Sequence, residues 1–124
     1  MPQSTIAIVG ASNNRRKFGN RAVRAYARQG WEVYPVNPHE TTIEDWHVYH
    51  SIDDVPVERL DRVSFYVPPD VGMRIVEAVA RRQPRELWLN PGAESPELIA
   101  RAEALGLAVV VACSIVDIGE SPAI

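Results

Sequence analysis

Five short runs of apolar, largely β-branched residues recur along the 124-residue chain, and helical patterns fill most of the intervals between them. The predicted strands are Thr5–Val9, Glu32–Val36, Arg62–Val67, Glu86–Leu89 and Ala108–Ala112. Several are apolar at successive positions, as in Val109-Val110-Val111, which indicates strands that are covered on both faces. Buried strands that alternate with helices predict an α/β fold built on a parallel sheet.

Capping residues delimit the predicted helices. The first helix begins near Gly19 and ends before Gly30, where a left-handed C-terminal cap is expected. The second begins at Asp70 and the third at Ser95, both good N-cap residues. Residues 38–60 lack a helical pattern of this kind, so we expect a loop and a brief helix there.

These elements together predict a Rossmann-like, three-layer α/β/α fold: an open parallel five-stranded sheet with helices on both faces. We expect the strand order 3-2-1-4-5, with the switch point between the first and fourth strands. Residues 1–124 are expected to form one domain, since domains commonly have ~100–200 residues. The tail at residues 113–124 is expected either to cover an edge of the sheet or to make a contact in a homo-oligomer.

Basic residues are concentrated near the N-terminus, although the net charge is −3. Residues 1–31 contain six of the 13 Lys and Arg residues and none of the 16 Asp and Glu residues. One basic segment in an acidic protein favours a small anionic ligand over nucleic acid. For Arg24 and Arg28, a solvated helix face is the alternative. No apolar run reaches the ~20 residues of a membrane span and no signal peptide is evident, so we expect a cytoplasmic protein with no membrane partner.

The loop after the first strand carries the clearest indication of a ligand site, because open parallel sheets bind ligands outside the carboxyl ends of their strands. Gly10 permits a sharp turn off the strand. Gly19 allows a ligand to approach the helix start, where free N–H groups favour a diphosphate. Ser12 can donate to phosphate oxygens, while Arg16 and Lys17 add positive charge. An ordinary strand-to-helix loop with two turn glycines is the alternative.

The ends of the second and third strands help to distinguish between cofactors. NAD-binding domains usually carry Gly-x-Gly-x-x-Gly and an acidic residue at the end of the second strand, and this chain has neither. The segment Val36-Asn37-Pro38 offers an apolar shelf for a purine and an amide that can bind its edge or the ribose. Val67-Pro68-Pro69 would form the opposite wall of an adenine slot. An NAD(P)-binding regulatory domain is disfavoured by this pattern but stays an alternative.

Motifs with catalytic or metal-binding spacing are absent from the sequence. One cysteine and three histidines make no zinc pattern, and neither a nucleophile elbow nor a P-loop is present. We therefore expect no metal and no catalytic residue. Cys113 is the one reactive candidate, and it is either a small buried hydrophobic residue or a contact for the thiol of a ligand.

These segments together resemble the small CoA-binding proteins of the succinyl-CoA-synthetase-like family. They also resemble the CoA-binding domain of that synthetase's α subunit and of ADP-forming acyl-CoA synthetases. The resemblance covers roughly residues 4–114 and rests on Val9-Gly10-Ala11-Ser12, Lys17-Phe18-Gly19-Asn20, Val33-Tyr34-Pro35-Val36-Asn37-Pro38 and Tyr66-Val67-Pro68-Pro69.

The resemblance implies that coenzyme A, or an acyl-CoA, binds at the strand ends, with its phosphates near Ser12 and Lys17. A contact between its thiol and Cys113 stays the alternative to a buried hydrophobic role for that residue. The implied binding residues are Gly10, Ala11, Ser12, Arg16, Lys17, Gly19, Asn20, Val36, Asn37, Pro38, Val67, Pro68 and Pro69. The synthetases phosphorylate a histidine during catalysis, and none of the three histidines here matches that motif. We therefore expect a non-catalytic carrier, sensor or detached subunit. The alternative is the CoA-binding partner subunit of a multi-chain acyl-CoA synthetase.

Overall fold

The computed structural model describes residues 3–123, and residues 1, 2 and 124, including the end of the predicted tail, lie outside the described part. The strands in chain order are β1 (Thr5–Val9), β2 (Glu32–Val36), β3 (Thr42–Ile43), β4 (Trp46–His47), β5 (Arg62–Phe65), β6 (Glu86–Leu89) and β7 (Val109–Val111). The five longer strands form one parallel sheet, while β3 and β4 form a small antiparallel hairpin. The predicted α/β class and the five parallel strands are confirmed.

The helices α1 (Phe18–Arg28), α2 (Pro69–Arg82) and α3 (Pro96–Ala104) lie close to their predicted positions, and a 3₁₀ turn spans Ile52–Asp54. A fourth, short helix, α4 (Ser114–Asp117), lies in the tail, where the sequence gives no clear helix signal. Ser95 caps α3 as predicted, since its hydroxyl oxygen accepts a hydrogen bond from the Leu98 amide at 3.0 Å. The N-cap position of α2 is Pro68 rather than the predicted Asp70, which lies in the first turn instead.

The predicted strand order 3-2-1-4-5 is wrong: the observed order is β2-β1-β5-β6-β7, or 2-1-3-4-5 in the numbering of the predicted strands. The reason is the face on which the second crossover lies. Helix α1 covers one face of the sheet, whereas the crossover residues Ile52, Val55 and Leu60 are buried on the other face together with α2 and α3. Right-handed crossovers on opposite faces advance in opposite directions, so β5 lies on the far side of β1. The switch point is therefore between β1 and β5.

Two apolar cores flank the sheet, one under α2 and α3 and one under α1 and α4. The expectation that Val109–Val111 is covered on both faces is wrong, because β7 is an edge strand on which Val111 is 51% exposed. The tail leaves this edge open because α4 packs on α1, with Ile115 fully buried in the core beneath them. In residues 3–123, no helix is long and apolar enough to cross a membrane.

Candidate functional site

A cleft of ≈ 750 Å³ lies across the carboxyl ends of β1, β2, β5 and β6, at the observed switch point. Ten of the predicted binding residues line it: Gly10, Ala11, Ser12, Arg16, Lys17, Gly19, Asn37, Pro38, Val67 and Pro68. Asn20, Val36 and Pro69 do not. Asn20 and Val36 are buried beneath the cleft, and Pro69 is the first residue of α2.

Gly10 and Gly19 bring the start of α1 directly onto the loop that leaves β1. A Cβ atom on Gly19 would lie 2.1 Å from the carbonyl oxygen of Gly10, and one on Gly10 would lie 2.5 Å from the carbonyl oxygen of Tyr66. Gly10 also has a φ of +91°, which few other residues adopt. Both glycines therefore permit close packing of backbone on backbone.

The N-terminus of α1 faces the cleft, and the Glu44 carboxylate that reaches its first turn accepts a hydrogen bond from Asn20 at 3.3 Å and pairs with Arg15 at 3.5 Å. Lys17 occupies the N-cap position, makes no side-chain capping bond, and no acidic residue lies in the first turn. The first amides of a helix have no intrahelical acceptor, and the helix dipole adds a partial positive charge there. An anion such as a diphosphate can satisfy both.

The basic residues of this region divide into two groups. Arg16 and Lys17 are exposed at the cleft, and no ion pair or side-chain hydrogen bond within residues 3–123 involves either side chain. Arg24 instead donates to the carbonyl oxygen of Arg15 at 3.0 Å, and Arg28 pairs with Glu120 at 2.8 Å. Arg15, also on the loop, pairs with Glu44 at 3.5 Å, so the loop cations left available to a ligand are Arg16 and Lys17.

Two asparagines fix the loop from inside the protein. Asn20, which is fully buried, donates to the carbonyl oxygen of Ser12 at 2.9 Å, and Asn37 donates to that of Ala11 at 2.8 Å. The Asn37 side-chain oxygen also accepts the amide of His39 at 2.7 Å. These contacts make both asparagines positioning residues. We expected Asn37 to bind a purine edge or a ribose, but its side-chain amide is already hydrogen-bonded within the protein.

A buried polar cluster joins the ends of β5 and β6 to the start of α4, and sequence reasoning missed it. The Asn90 side chain donates to Ser64 Oγ at 2.8 Å and accepts the Ser114 amide at 2.8 Å. Ser114 Oγ in turn lies 2.8 Å from Ser64 Oγ and 3.0 Å from the Tyr66 hydroxyl. Burial raises the pKa of Tyr66 well above its usual range, so the hydroxyl stays protonated. The sequence feature that could have indicated this cluster is Asn90, a polar residue at the end of an apolar strand, directly before Pro91.

Cys113 is half-buried and lines a second, smaller pocket of ≈ 220 Å³ next to the cleft. Phe18, Tyr66 and Pro91 line both the pocket and the cleft, so the two are adjacent. Among residues 3–123, no group of three or more His, Cys, Asp or Glu side chains could hold a metal ion.

A further cleft of ≈ 620 Å³ lies at the opposite edge of the sheet, where the strands begin. Its cations, Arg59 and Arg85, each lie 3.9 Å from Asp61, and its lining includes no helix N-terminus. The carboxyl-edge cleft is therefore the better anion site, because its positive charges are not compensated by the protein.

Comparison with known proteins gives a family match that covers nearly the whole chain. The CoA binding domain family matches residues 4–119. The α subunit of an ADP-forming acetate–CoA ligase II from Pyrococcus furiosus is 36% identical over 64 residues, which span 51% of this chain but only 14% of the ligase subunit.

Two solved structures show the same fold in different contexts. A conserved hypothetical protein from Pyrococcus furiosus is 34% identical, with a TM-score of 0.82, and the match covers 92% of this chain and 98% of that one. A dinucleotide-forming acetyl-coenzyme A synthetase 1 from Ca. Korarchaeum cryptofilum is 27% identical, with a TM-score of 0.76. That match covers 88% of this chain and 25% of the synthetase.

Proposed function

Because the chain belongs to the CoA-binding domain family, we propose that it binds coenzyme A or an acyl-CoA in the carboxyl-edge cleft. The observation that carries this proposal is the uncapped N-terminus of α1, which faces the cleft beside the two unpaired cations Arg16 and Lys17. A coenzyme A diphosphate would accept the free amides there and the Ser12 hydroxyl hydrogen, since Ser12 Oγ itself accepts the Asn14 amide.

The walls of the cleft suit the adenine of the same ligand. Pro38 is exposed on the β2 side, and Val67 and Pro68 face the cleft from the β5 side. Between them they offer apolar surface for the purine ring. The end of β2 provides no carboxylate for the hydroxyl groups of the adenosine ribose of NAD, and Asn37 is engaged by the loop, so NAD fits this cleft less well than coenzyme A.

We propose that residues 1–124 form one CoA-binding domain, with residues 113–124 as its tail, that works as a carrier or sensor without catalysis of its own. The cleft brings together anion-binding and apolar groups but no pair of side chains suited to proton transfer or nucleophilic attack. A cytoplasmic location fits the single free thiol of Cys113, because that compartment keeps thiols reduced.

A second candidate function is the CoA-binding subunit of a multi-chain acyl-CoA synthetase. It is favoured by the likeness to parts of two much longer proteins of that kind. The test is whether the chain restores acyl-CoA-dependent ATP formation to a synthetase of this type from which the corresponding domain has been removed. Restored activity would establish the subunit role, and no activity despite tight CoA binding would favour the carrier or sensor.

Calorimetric titration and thermal unfolding with CoA, NAD, NADP and ATP test the proposed function. A ligand at one hundred times its dissociation constant stabilises the fold by ~2.7 kcal/mol, which is a clear thermal shift for a protein of this size. We expect the largest shift and a saturable binding isotherm with CoA. An absent response to CoA, or an equal response to NAD, would contradict the proposal, and a larger response to NADP would favour the regulatory-domain alternative.

A further inference from the structure

We propose that the small pocket beside Cys113 receives the acyl group of a short, uncharged acyl-CoA, so that the preferred ligand is the thioester rather than free CoA. We call it the acyl pocket; its lining includes Phe18, Tyr66, Pro91, Cys113, Val116 and Pro122. This inference rests on the proposed function and specifies the ligand class of the same site.

The position of the acyl pocket suits the thiol end of the ligand. The diphosphate lies at the N-terminus of α1 and the adenine between the ends of β2 and β5. The acyl pocket lies on the other side, beside the ends of β6 and β7. A ligand anchored at its nucleotide end therefore extends its pantetheine arm across the sheet edge toward the pocket. Phe18, Tyr66 and Pro91 line both spaces, so the arm would run along these three side chains.

The chemistry of the lining selects an apolar occupant. No charged side chain lines the pocket. The Tyr66 hydroxyl and the Asn90 amide are already hydrogen-bonded to Ser114 and Ser64, so neither requires a partner on the ligand. A carboxylate on the acyl group would lose part of its hydration without a cation in the lining to pair with, which costs free energy. Arg21, whose guanidinium lies 5.2 Å from the Phe18 ring centre, is engaged by the carbonyl oxygen of Pro122. The pocket therefore favours an alkyl acyl group over a dicarboxylic one.

The tail supplies one wall of the pocket, and α1 holds that wall in place. Arg21 donates to the carbonyl oxygen of Pro122 at 2.6 Å, and Gln29 donates to Glu120 at 2.6 Å. Phe18 and Val116 nevertheless stay 54% and 57% exposed. They are the two most exposed of the four exposed large apolar residues in residues 3–123. An alkyl group in the pocket would remove apolar surface of both from water, which favours binding.

The volume limits the length of the acyl chain. At about 30 Å³ for each group of the size of a water molecule, ≈ 220 Å³ holds about seven such groups. The end of the pantetheine arm takes some of that room. Acyl chains of roughly four to six carbons should therefore fill the pocket, and longer ones should extend beyond it into solvent.

Calorimetry with CoA, acetyl-CoA, butyryl-CoA, decanoyl-CoA and succinyl-CoA tests the proposal. Affinity should increase about fourfold for each methylene buried, or roughly 15-fold from acetyl-CoA to butyryl-CoA. Decanoyl-CoA should gain little more for its added length, and succinyl-CoA should bind more weakly than butyryl-CoA. The variant Val116→Glu should lose the gain, so that it binds butyryl-CoA no more tightly than it binds CoA. Val111→Glu, at an exposed valine outside the pocket, should behave as the parent does.

The outcomes separate this inference from the proposed function. Equal affinities for CoA and butyryl-CoA, or an undiminished preference in Val116→Glu, would overturn the acyl pocket while leaving CoA binding intact. Stronger binding of succinyl-CoA than of butyryl-CoA would also overturn it. Failure of every CoA derivative to bind would refute the proposed function itself, and the acyl pocket with it.

Discussion

Reversal of the charge of Lys17 should weaken CoA binding without weakening the fold. Lys17 is the only lysine of the chain, occupies the N-cap position of α1 and is exposed. Lys17→Glu replaces an attraction to the diphosphate by a repulsion. The same glutamate lies at a helix N-terminus, where a negative charge stabilises the helix by a few tenths of a kcal/mol or more. Affinity and stability should therefore change in opposite directions.

The size of the effect follows from the exposure of the site. Two opposite charges 4 Å apart in bulk water attract by about 1 kcal/mol, so reversal of one of them changes the binding free energy by about 2 kcal/mol. This corresponds to roughly a 30-fold increase in the dissociation constant at low ionic strength. The loss should shrink as salt is added, because exposed charges are screened over about 10 Å at 0.1 M.

Calorimetric titration at low and high salt measures the affinity, and thermal unfolding without ligand measures the stability. Arg74→Glu is the matched control, since Arg74 is exposed on α2 and does not line the cleft. It should bind CoA as the parent does at either salt concentration. Parent-like affinity in Lys17→Glu, or an equal loss in Arg74→Glu, would refute the placement of the diphosphate.

Three further predictions follow from single contacts. Gly19→Ala should destabilise the protein by about 1–3 kcal/mol, because its Cβ would lie 2.1 Å from the Gly10 carbonyl oxygen; an unchanged midpoint of chemical denaturation would refute this. If Cys113 meets the ligand thiol, its thiolate should attack CoA disulfide, release one CoA thiolate and retain the other half as a mixed disulfide. Intact mass should show one adduct in the parent, none in Cys113→Ser, and slower reaction with glutathione disulfide; equal rates would contradict the contact. Hydrogen bonds from Gln29 and Arg28 lower the pKa of Glu120, so the Glu120 carboxylate stabilises the fold above the ordinary carboxyl pKa. This stabilisation is lost as the pH falls through the lowered pKa, and Glu120→Gln should reduce that loss of thermal stability on the acid side.

Features encoded by local pattern could be predicted from the sequence. The parallel strands follow from apolar runs bounded by turns, and the cap at Ser95 follows from the residue type and the proline after it. The loop from Gly10 to Gly19 was identified because glycines and cations cluster where a strand ends. Ten of the thirteen predicted binding residues line one cleft for the same reason, since the carboxyl ends of parallel strands meet at one edge of the sheet.

Features that depend on long-range packing could not be predicted. Nothing local in residues 38–60 tells which face of the sheet the second crossover covers, and that choice determined the strand order. Asn20 and Asn37 look like ligand contacts in the sequence, yet both bind backbone carbonyl groups that lie 8 and 26 residues away. The Ser64–Ser114 contact joins residues 50 positions apart, so the pocket beside Cys113 is visible only in the folded chain.

A crystal structure of the protein soaked with CoA would show where the ligand binds. We predict the diphosphate at the N-terminus of α1 beside Lys17, the adenine between Pro38 and Pro68, and the thiol end directed toward Cys113. The cleft at the opposite edge, next to Arg59 and Arg85, is the clearest competing position. CoA bound there would contradict the proposed binding site. An unoccupied carboxyl-edge cleft, at a CoA concentration that saturates binding in solution, would contradict it as well.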